Sequence, residues 1–436
     1  NKRHCQRNIK FHMKGQCFFI FILTAEVACG ITMKINTEAI QITPLKNGRV
    51  LVGNVMTGDY LKISKAYFEV ITSIINQYGE LNKFLQESDE EATIKNNLQK
   101  LYEGLVRIKY FVQENEKFIE DTKYNEIYLA VTDRCNLKCK HCCQDSGCRV
   151  HDALTTDDIK LAINYIIMLN PKGIVFTGGE PIMRKDLIEL LHYARTNFKG
   201  QIILSTNTLL ITEKNINSIL ENITGISISL DGYDQNSCDI VRGNGVFKRT
   251  IENIKLIRKK GFENISISAV YTKYMEGHEN EFNELCEKYD AVPIIRNLFL
   301  NGRANINEDD LVPSDYLWHI TRSREISCRH CRAGERELYI SSTGEIYPCP
   351  NLQYKEFYCG NVTDPMIESS FREKKIGEIA REKMKIHRTW NQENCKNCEM
   401  GLFCQTCEAE YKMLFDNKAL YQKFCETKRN YLSSLI

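Results

Sequence analysis

Three cysteines near the middle of the chain have the spacing of a metal centre. Cys135, Cys139 and Cys142 follow the pattern C-x3-C-x2-C directly after a predicted strand. Three thiolates on one short loop can bind three corners of an iron–sulfur cubane and leave the fourth iron open to a small molecule. A zinc site is one alternative, although no fourth Cys or His lies at the spacing of a zinc finger or ribbon. A set of unrelated buried thiols is the other.

A larger group of cysteines lies in the C-terminal part of the chain. From Cys331 onward its spacing is C-x12-G-x4-C, then C-x2-C-x5-C-x2-C, then one further cysteine, and Cys328 lies three residues before Cys331. Its members are Cys328, Cys331, Cys349, Cys395, Cys398, Cys404, Cys407 and Cys425. A zinc ribbon needs two C-x2-C pairs about 15–20 residues apart, and disulfides fit poorly beside a reduced iron–sulfur centre. Because the segment has little apolar periodicity, we predict that bound metal holds it together.

The composition excludes several classes of protein. The chain has 436 residues and 19 cysteines, with 43% hydrophobic residues, 26% charged residues and a net charge of only +2. These values predict two or three folded domains and argue against disorder. A nucleic-acid partner is not expected, because proteins held by phosphate contacts are normally basic. No membrane partner is expected either, because no apolar stretch reaches the roughly 20 residues that a spanning helix needs.

Alternating strands and helices must position the first cysteines. Six strand–helix units predict an α/β fold with a parallel sheet, a partial (β/α)6 barrel of the TIM type whose site lies at the carboxyl ends of the strands. The predicted strands are Glu126–Val131, Gly173–Phe176, Gln201–Ser205, Gly225–Leu230, Asn264–Tyr271 and Ala291–Ile295. The predicted helices are Thr156–Leu169, Lys185–Asn197, Thr212–Asn222, Gly245–Lys260 and Gly277–Tyr289. Further helices are predicted at about Ser370–Ile386 and Ala409–Leu435.

Polar motifs follow three of these strands. Thr177–Pro181, with the sequence TGGEP, closes the second strand, Ser205–Asn207 ends the third, and Ser227–Gly232, with the sequence SISLDG, ends the fourth. Glycines without a Cβ let the backbone approach a ligand closely, and a carboxylate such as Glu180 can accept a charge-assisted hydrogen bond from an ammonium group. For Ser227, Asn207 and Arg242, loop capping is an equally reasonable role.

Over about residues 125–300 these motifs resemble the radical S-adenosylmethionine (SAM) superfamily. C-x3-C-x2-C after the first strand is its defining motif, TGGEP resembles its GGEP motif, and SISLDG resembles its S-x-D-G motif. The resemblance implies a 4Fe–4S cluster on Cys135, Cys139 and Cys142, with SAM chelating the open iron. His141 would approach the adenine. The SAM-binding residues implied in this way are His141, Gly178, Gly179, Glu180, Pro181, Ser205, Asn207, Ser229, Asp231 and Arg242.

The C-terminal cysteines resemble the SPASM domain of radical-SAM maturases. The resemblance implies two auxiliary 4Fe–4S clusters, three clusters in all. One would be held by Cys331, Cys349 and Cys407, with Cys328 as fourth ligand. The other would be held by Cys395, Cys398, Cys404 and Cys425. The chain departs from the family in having two residues rather than three between Cys404 and Cys407, which leaves the partition of Cys407 and Cys328 open.

Residues 33–113 predict a winged-helix-like α+β module with no chemical motif of its own. Its predicted strands and helices are Ala39–Thr43, Val50–Met56, Tyr60–Ile63, Ala66–Gln77 and Asn96–Val112. The pattern resembles the peptide-recognition element of ribosomal-peptide maturases, which is the fold of the peptide chaperone PqqD. A plain N-terminal cap is the alternative.

Residues 1–32 imitate a signal peptide, and we interpret them as a leader or an upstream translation that precedes a start at Met33. The remaining boundaries are a charged linker at 114–124, the radical SAM barrel at 125–325 and the SPASM domain at 326–436.

The combination implies a cytoplasmic radical SAM oxidoreductase that modifies a peptide. By resemblance, it would cleave SAM to a 5′-deoxyadenosyl radical, take hydrogen from a precursor peptide that carries a leader segment, and install a crosslink, most simply a Cys thioether. An external flavodoxin- or ferredoxin-type reductant is implied. The alternatives are an anaerobic sulfatase maturase, a carbon–carbon-bond-forming or epimerising maturase, and a non-catalytic iron–sulfur electron carrier. Of the remaining cysteines, Cys286 and Cys359 are expected in the core, while Cys143 and Cys148 flank the first cysteine loop.

Overall fold

The computed structural model describes residues 33–434 except for short internal stretches. These are residues 38, 46, 79–80, 89, 114–123, 148–150, 318–327, 329, 388–390, 394, 396–397, 405–406 and 416. The predicted leader at 1–32, nearly all of the predicted linker and Cys148 therefore lie outside the described residues. Within the described part, no helix is both long enough and apolar enough to cross a membrane.

The fold begins with a small α+β module. Its elements are β1 (Met33–Ile35), β2 (Ile40–Pro44), β3 (Arg49–Asn54), β4 (Tyr60–Ser64), α1 (Lys65–Tyr78), α2 (Leu81–Glu87), α3 (Ala92–Arg107) and β5 (Phe111–Gln113). β2, β3 and β4 form an antiparallel sheet in that order, and β1 pairs with β5. Val50 and Val52 of β3 pack among residues of the three helices, while Leu51, on the opposite face of the strand, packs on the C-terminal part of the chain.

One predicted helix of this module is too long. The helix predicted over Asn96–Val112 ends at Arg107, and Phe111–Gln113 forms β5 instead. Lys109 has a left-handed φ of 53°, which ends the helix. The aromatic and β-branched residues that follow then pair with β1 as a strand.

The middle of the chain is the predicted partial barrel. Its elements are β6 (Glu126–Ala130), α4 (Thr156–Met168), β7 (Gly173–Thr177), α5 (Leu187–Asn197), β8 (Gln201–Thr206), α6 (Ile216–Leu220), β9 (Gly225–Ser229), α7 (Gln235–Arg242), α8 (Val246–Lys259), β10 (Ile265–Val270), α9 (Glu279–Lys288) and β11 (Val292–Arg296). The six strands are parallel and neighbour one another in chain order. The predicted fold class and all six strands are confirmed, whereas the short polar helix α7 was not predicted.

The C-terminal part continues the same sheet. Its elements are α10 (Arg303–Ile306), α11 (Glu308–Leu311), β12 (Glu337–Ile340), β13 (Glu345–Tyr347), β14 (Gly360–Asn361), α12 (Ile367–Arg372), α13 (Lys375–His387), α14 (Glu408–Phe415) and α15 (Lys418–Ser433). β12 pairs in parallel with β6, and β13 and β14 extend the sheet to nine strands. The cysteine-rich segment is thus joined to the barrel by main-chain hydrogen bonds.

Two predicted C-terminal helices are each two helices in the structure. The helix predicted at Ser370–Ile386 is interrupted at Lys374, whose φ of 58° is left-handed and separates α12 from α13. The helix predicted at Ala409–Leu435 is interrupted before Lys418, because the Asn417 side chain accepts a hydrogen bond from the Leu420 amide and starts a new helix, α15. Apolar periodicity alone did not reveal either break.

A stacked aromatic pair joins the C-terminal part to the barrel. The ring of Phe371 in α12 is fully buried and lies parallel to the ring of Tyr165 in α4, with centroids 5.0 Å apart. We expect Phe371→Ala to lower the free energy of unfolding by about 3–5 kcal/mol, because it removes buried apolar surface and leaves a cavity. Urea denaturation measures the change. Met366→Ala, at the exposed start of the same helix, is the control and should change it by about 0.5 kcal/mol or less. Equal stability of both variants would show that α12 does not pack on α4 in solution.

Candidate functional site

The first cysteine loop follows β6 at the carboxyl edge of the barrel. Cys135 and Cys139 are buried and Cys142 is partly buried. Burial raises the pKa of the Cys135 thiol to about 11, and the nearby Cys139, Glu180 and Cys142 act in the same direction. The three predicted cluster ligands are therefore brought together beside the TGGEP motif.

The glycines of the TGGEP motif lie against the backbone of this loop. The amide of Gly179 donates to the Thr132 carbonyl at 2.8 Å, and the amide of Glu180 donates to the Arg134 carbonyl at 2.7 Å. Gly178 has a φ of 140°, and a Cβ on it would lie 2.2 Å from the Thr132 oxygen. The sequence suggested that the glycines give room to a ligand; the approach seen is to the cysteine loop of the same chain.

Glu180 links the ends of two strands. Its buried carboxylate accepts hydrogen bonds from the Thr206 hydroxyl at 2.7 Å, the Asn207 amide at 2.7 Å and the Ile182 amide at 3.2 Å. Burial raises the pKa of Glu180, and these three donors oppose that rise. A carboxylate offers about four acceptor positions, so one remains for an external ammonium. Pro181 follows as the first residue of a buried 3₁₀ turn.

The carboxylate of Asp231, at the end of β9, contacts three polar partners. Its carboxylate accepts from Nε of Arg242 at 2.5 Å, from the Val270 amide at 2.6 Å and lies 3.0 Å from Nε2 of His141. Arg242 also lies close enough to Cys139 to lower the pKa of that thiol, although burial outweighs it. Asp231 therefore pairs with both His141 and Arg242. The resulting network lies directly beside the cysteine loop.

The remaining predicted SAM-binding residues lie along the same edge. Ser205 and Ser229 are half-buried at the ends of β8 and β9. Asn207 is buried, and its side-chain amide donates to the side chain of Asn136 in the cysteine loop at 2.8 Å. All ten predicted SAM-binding positions thus lie on loops or strand ends at the carboxyl edge of the sheet or on the adjoining helix α7.

Two residues that position this site were not predicted. Thr206 holds Glu180, as described above. Arg303, after β11, donates from Nε to the Cys139 carbonyl at 3.1 Å and from Nη1 to the Ser146 carbonyl at 2.8 Å. Gly302 beside it has a φ of 56° and packs on the carbonyls of Cys142 and Cys143. A Gly-Arg pair after the last barrel strand was the only sequence signal for this clamp.

Four of the C-terminal cysteines surround one cavity. This set, which we call the distal cysteine set, consists of Cys395, Cys398, Cys404 and Cys425, and the cavity is also lined by Tyr411, Tyr421 and Lys428. They are the four residues that the SPASM resemblance assigns to one auxiliary cluster. Cys395, Cys398 and Cys404 precede α14, and Cys425 lies on α15.

The other C-terminal cysteines divide into two places. Cys331, Cys349 and Cys407 pack in one apolar cluster, and burial raises the pKa of Cys349 and Cys407, with Cys331 adding to both. Cys328 packs in a different cluster against the N-terminal module, where its thiol donates to the Asp59 carbonyl at 3.2 Å. The assignment of Cys328 as the fourth ligand therefore stays a prediction. Cys286 and Cys359 are core residues, as predicted.

The donor chemistry of these sites fits the groups that the sequence implied. Two buried polar atoms, Nδ1 of His141 in the cysteine loop and Oγ of Ser227 within β9, have no hydrogen-bond partner in the described part of the chain, so a bound polar ligand could satisfy them. His141 itself belongs to the first cysteine loop, directly before Cys142 in the sequence. Among the described residues, no three Cys, His, Asp or Glu side chains are arranged to hold a single metal ion.

Two protein-family models match separate parts of this chain. Residues 129–286 match the Radical SAM superfamily, and residues 331–399 match the SPASM iron–sulfur cluster-binding domain. The chain has the radical SAM fold and a C-terminal SPASM domain. These matches support an enzymatic function for the radical SAM chain.

The chain is also similar to curated relatives in sequence and to a solved structure in fold. The mycofactocin maturase MftC of Mycolicibacterium smegmatis is 30% identical over 258 residues, which is 53% of this chain and 66%, just under two thirds, of the relative. The AdoMet-dependent heme synthase of Nitratidesulfovibrio vulgaris is 28% identical over 341 residues, covering 66% of this chain and 89% of the relative. The crystal structure of Streptococcus suis SuiB has a TM-score of 0.50 at 18% identity and covers 87% of this chain and 96% of SuiB.

The Asp231 network predicts a defined dependence of stability on pH. Burial alone would raise the pKa of Asp231, but Arg242 and His141 hold it well below its usual range. The ionised carboxylate thus stabilises the fold above the ordinary Asp pKa of about 4, and this contribution is lost as the pH falls through the lower pKa of the folded state.

We expect Asp231→Asn to cost about 3–5 kcal/mol at neutral pH, because it leaves the buried Arg242 without its counter-ion. Below about pH 4 the difference from the unsubstituted protein should shrink. Urea denaturation between pH 7 and pH 3 measures it. Asp157→Asn, in the exposed first turn of α4, is the control and should cost about 0.5 kcal/mol or less. A cost that stays constant down to pH 3 would contradict the ion pair.

Proposed function

We propose that this chain is a radical SAM peptide maturase. The observation that carries the proposal is the C-x3-C-x2-C loop at the end of β6. The carbonyls of Thr132 and Arg134, just before this loop, accept from the amides of Gly179 and Glu180, and Nδ1 of His141 within it has no hydrogen-bond partner among the described residues. Cys135, Cys139 and Cys142 would hold a 4Fe–4S cluster, and the polar edge of the barrel would hold SAM. When bound and reduced, these groups supply a 5′-deoxyadenosyl radical that takes a hydrogen atom from the substrate.

The residues of the barrel edge would bind and orient SAM. Glu180 has one acceptor position left and suits the ammonium group. Nδ1 of His141 and Oγ of Ser227 would be satisfied by polar atoms of the nucleoside, with Ser205, Asn207 and Ser229 nearby. Arg242, although paired with Asp231, carries further donors for the carboxylate group. Asp231 holds the cysteine loop through His141, and Arg303 holds it through the Cys139 carbonyl, so both would exclude water by keeping that loop closed on the sheet.

A peptide is the substrate class that we infer. MftC is named a maturase, and SuiB has been solved bound to its precursor peptide SuiA. In this chain, β2 and β4 are the edges of the three-stranded sheet in the N-terminal module. We propose that a leader segment of the precursor adds as a further strand to one of these edges, in the manner of a PqqD-like recognition element.

A Cys thioether is the product that we propose. The C-terminal cysteines would hold two auxiliary 4Fe–4S clusters, which could receive the electron that remains after bond formation. An acidic base directly after a SPASM cysteine, as expected for a sulfatase maturase, is lacking at Cys349, which is followed by Pro350. A carbon–carbon bond or an epimerised residue is the alternative product. The same proposal includes three further points. The chain is divided into domains at 33–113, 125–325 and 326–436, its reductant is an external one-electron donor, and its location is cytoplasmic.

Release of 5′-deoxyadenosine tests the proposed chemistry. The reconstituted protein should release it from SAM in the presence of dithionite, and the triple variant Cys135→Ala, Cys139→Ala, Cys142→Ala should release none, because no thiolate remains to hold the SAM-binding cluster. Cys286→Ala, a buried thiol in α9, is the control and should retain release. Absence of release from the unsubstituted protein would favour the electron carrier.

Mass spectrometry of a co-expressed precursor tests the proposed product. Co-expression of the enzyme with a Cys-rich peptide from a neighbouring reading frame should lower the mass of that peptide by two hydrogens per crosslink.

Hydrogen exchange tests the proposed leader site on the intact protein. A synthetic leader peptide of that precursor should slow amide exchange in β2 or β4, because a new strand would pair with the free edge. β3 is the internal control, since it is already paired on both sides and should not change. Protection confined to the mouth of the barrel would contradict a role of the module in leader binding.

A further inference from the structure

Two tyrosine hydroxyls touch the thiols of the distal cysteine set. The Tyr421 hydroxyl lies 3.5 Å from Sγ of Cys395 and also hydrogen-bonds Cys425. The Tyr411 hydroxyl lies 3.7 Å from Sγ of Cys395 and 3.8 Å from Sγ of Cys404. Two phenols thus reach three of the four thiols around one cavity.

The local structure holds both phenols in place. Tyr421, Cys425 and Lys428 are spaced i, i+4 and i+7 on α15, so they share one face of that helix. Tyr411, on α14, is buried, and its ring packs against Phe415 at 5.1 Å and Phe424 at 6.0 Å between centroids. Because the rings are fixed by packing, the hydroxyls are aimed at the thiols before any group binds.

A buried lysine lies at the same cavity. Lys428 is 3% exposed and lines the cavity with the four cysteines. Burial lowers the pKa of Lys428, while Cys404 and Glu410 act to raise it. A positive charge at this position would interact favourably with negative charge held by the thiolates.

The direction of the effect on a bound cluster follows from electrostatics. A thiolate ligand has no proton, so each contact must be an O–H donated by tyrosine to sulfur. One-electron reduction makes the cluster more negative, and donors to sulfur together with a nearby cation stabilise the reduced form. Removing a donor should therefore make the cluster harder to reduce.

We propose that Tyr411 and Tyr421 are positioning residues that raise the reduction potential of an iron–sulfur cluster on the distal cysteine set. This inference rests on the proposed presence of that auxiliary cluster. A raised potential suits a cluster that receives an electron rather than one that delivers it to SAM.

Redox titration of the reconstituted full chain, followed by electron paramagnetic resonance, tests the inference. Tyr411→Phe and Tyr421→Phe should each shift the midpoint potential of one auxiliary cluster to a more negative value, and the double variant should shift it further. Iron content should stay unchanged, because Phe keeps the ring and all four thiols remain. Tyr193→Phe, which removes a hydroxyl bonded to Asn164 on the outer helices of the barrel, is the matched control and should shift nothing.

The possible failures are distinguishable. Unchanged potentials at full iron content would overturn the inference and leave the proposed cluster intact. Loss of the iron of one cluster in the Phe variants would also overturn it, because the hydroxyls would then hold the ligands rather than set the potential. If Cys395→Ala with Cys398→Ala leaves the iron content unchanged, the cluster itself is absent and both the inference and this part of the proposed function fall.

Discussion

The site depends on two backbone hydrogen bonds between neighbouring strand ends. The amides of Gly179 and Glu180 donate to the carbonyls of Thr132 and Arg134, which closes the turn after β7 onto the cysteine loop after β6. A side chain at Gly178 would collide with the Thr132 oxygen, so this closure requires glycine. Once it is made, Glu180 lies where Thr206 and Asn207 can hold it, and the ends of three strands become one surface.

The C-terminal cysteine-rich segment contacts both the barrel and the N-terminal module. β12 pairs with β6, so the cysteine-rich segment is joined by main-chain hydrogen bonds to the strand that carries the first cysteine loop. On its other side this segment packs on the N-terminal module, where a Cβ on Gly53 would touch both Leu402 and Cys328. A peptide held by the module would thus be held by a unit that is packed against the auxiliary cysteines.

Patterns that are local in sequence predicted much of this arrangement. The alternation of strand and helix segments predicted the six barrel strands. The spacing of Cys135, Cys139 and Cys142 predicted their convergence, because a span of eight residues cannot separate them far. Helix ends were less accurate where one residue takes a left-handed conformation, as Lys109 and Lys374 do. A lysine with a left-handed φ cannot be recognised from the sequence, because glycine and asparagine are the residues that usually indicate this conformation.

The sequence by itself determined the fold class, because the barrel strands neighbour one another in chain order. It also predicted which residues carry the chemistry, from the spacing of the motifs and the family that they resemble. Only the tertiary structure decided which side chains hold those residues. Arg303 on the Cys139 carbonyl, β12 beside β6, Cys328 against the N-terminal module, and Tyr411 and Tyr421 on the distal thiols are contacts between distant segments. Such contacts depend on how whole elements pack against one another, and no periodicity or spacing along a single chain encodes that packing.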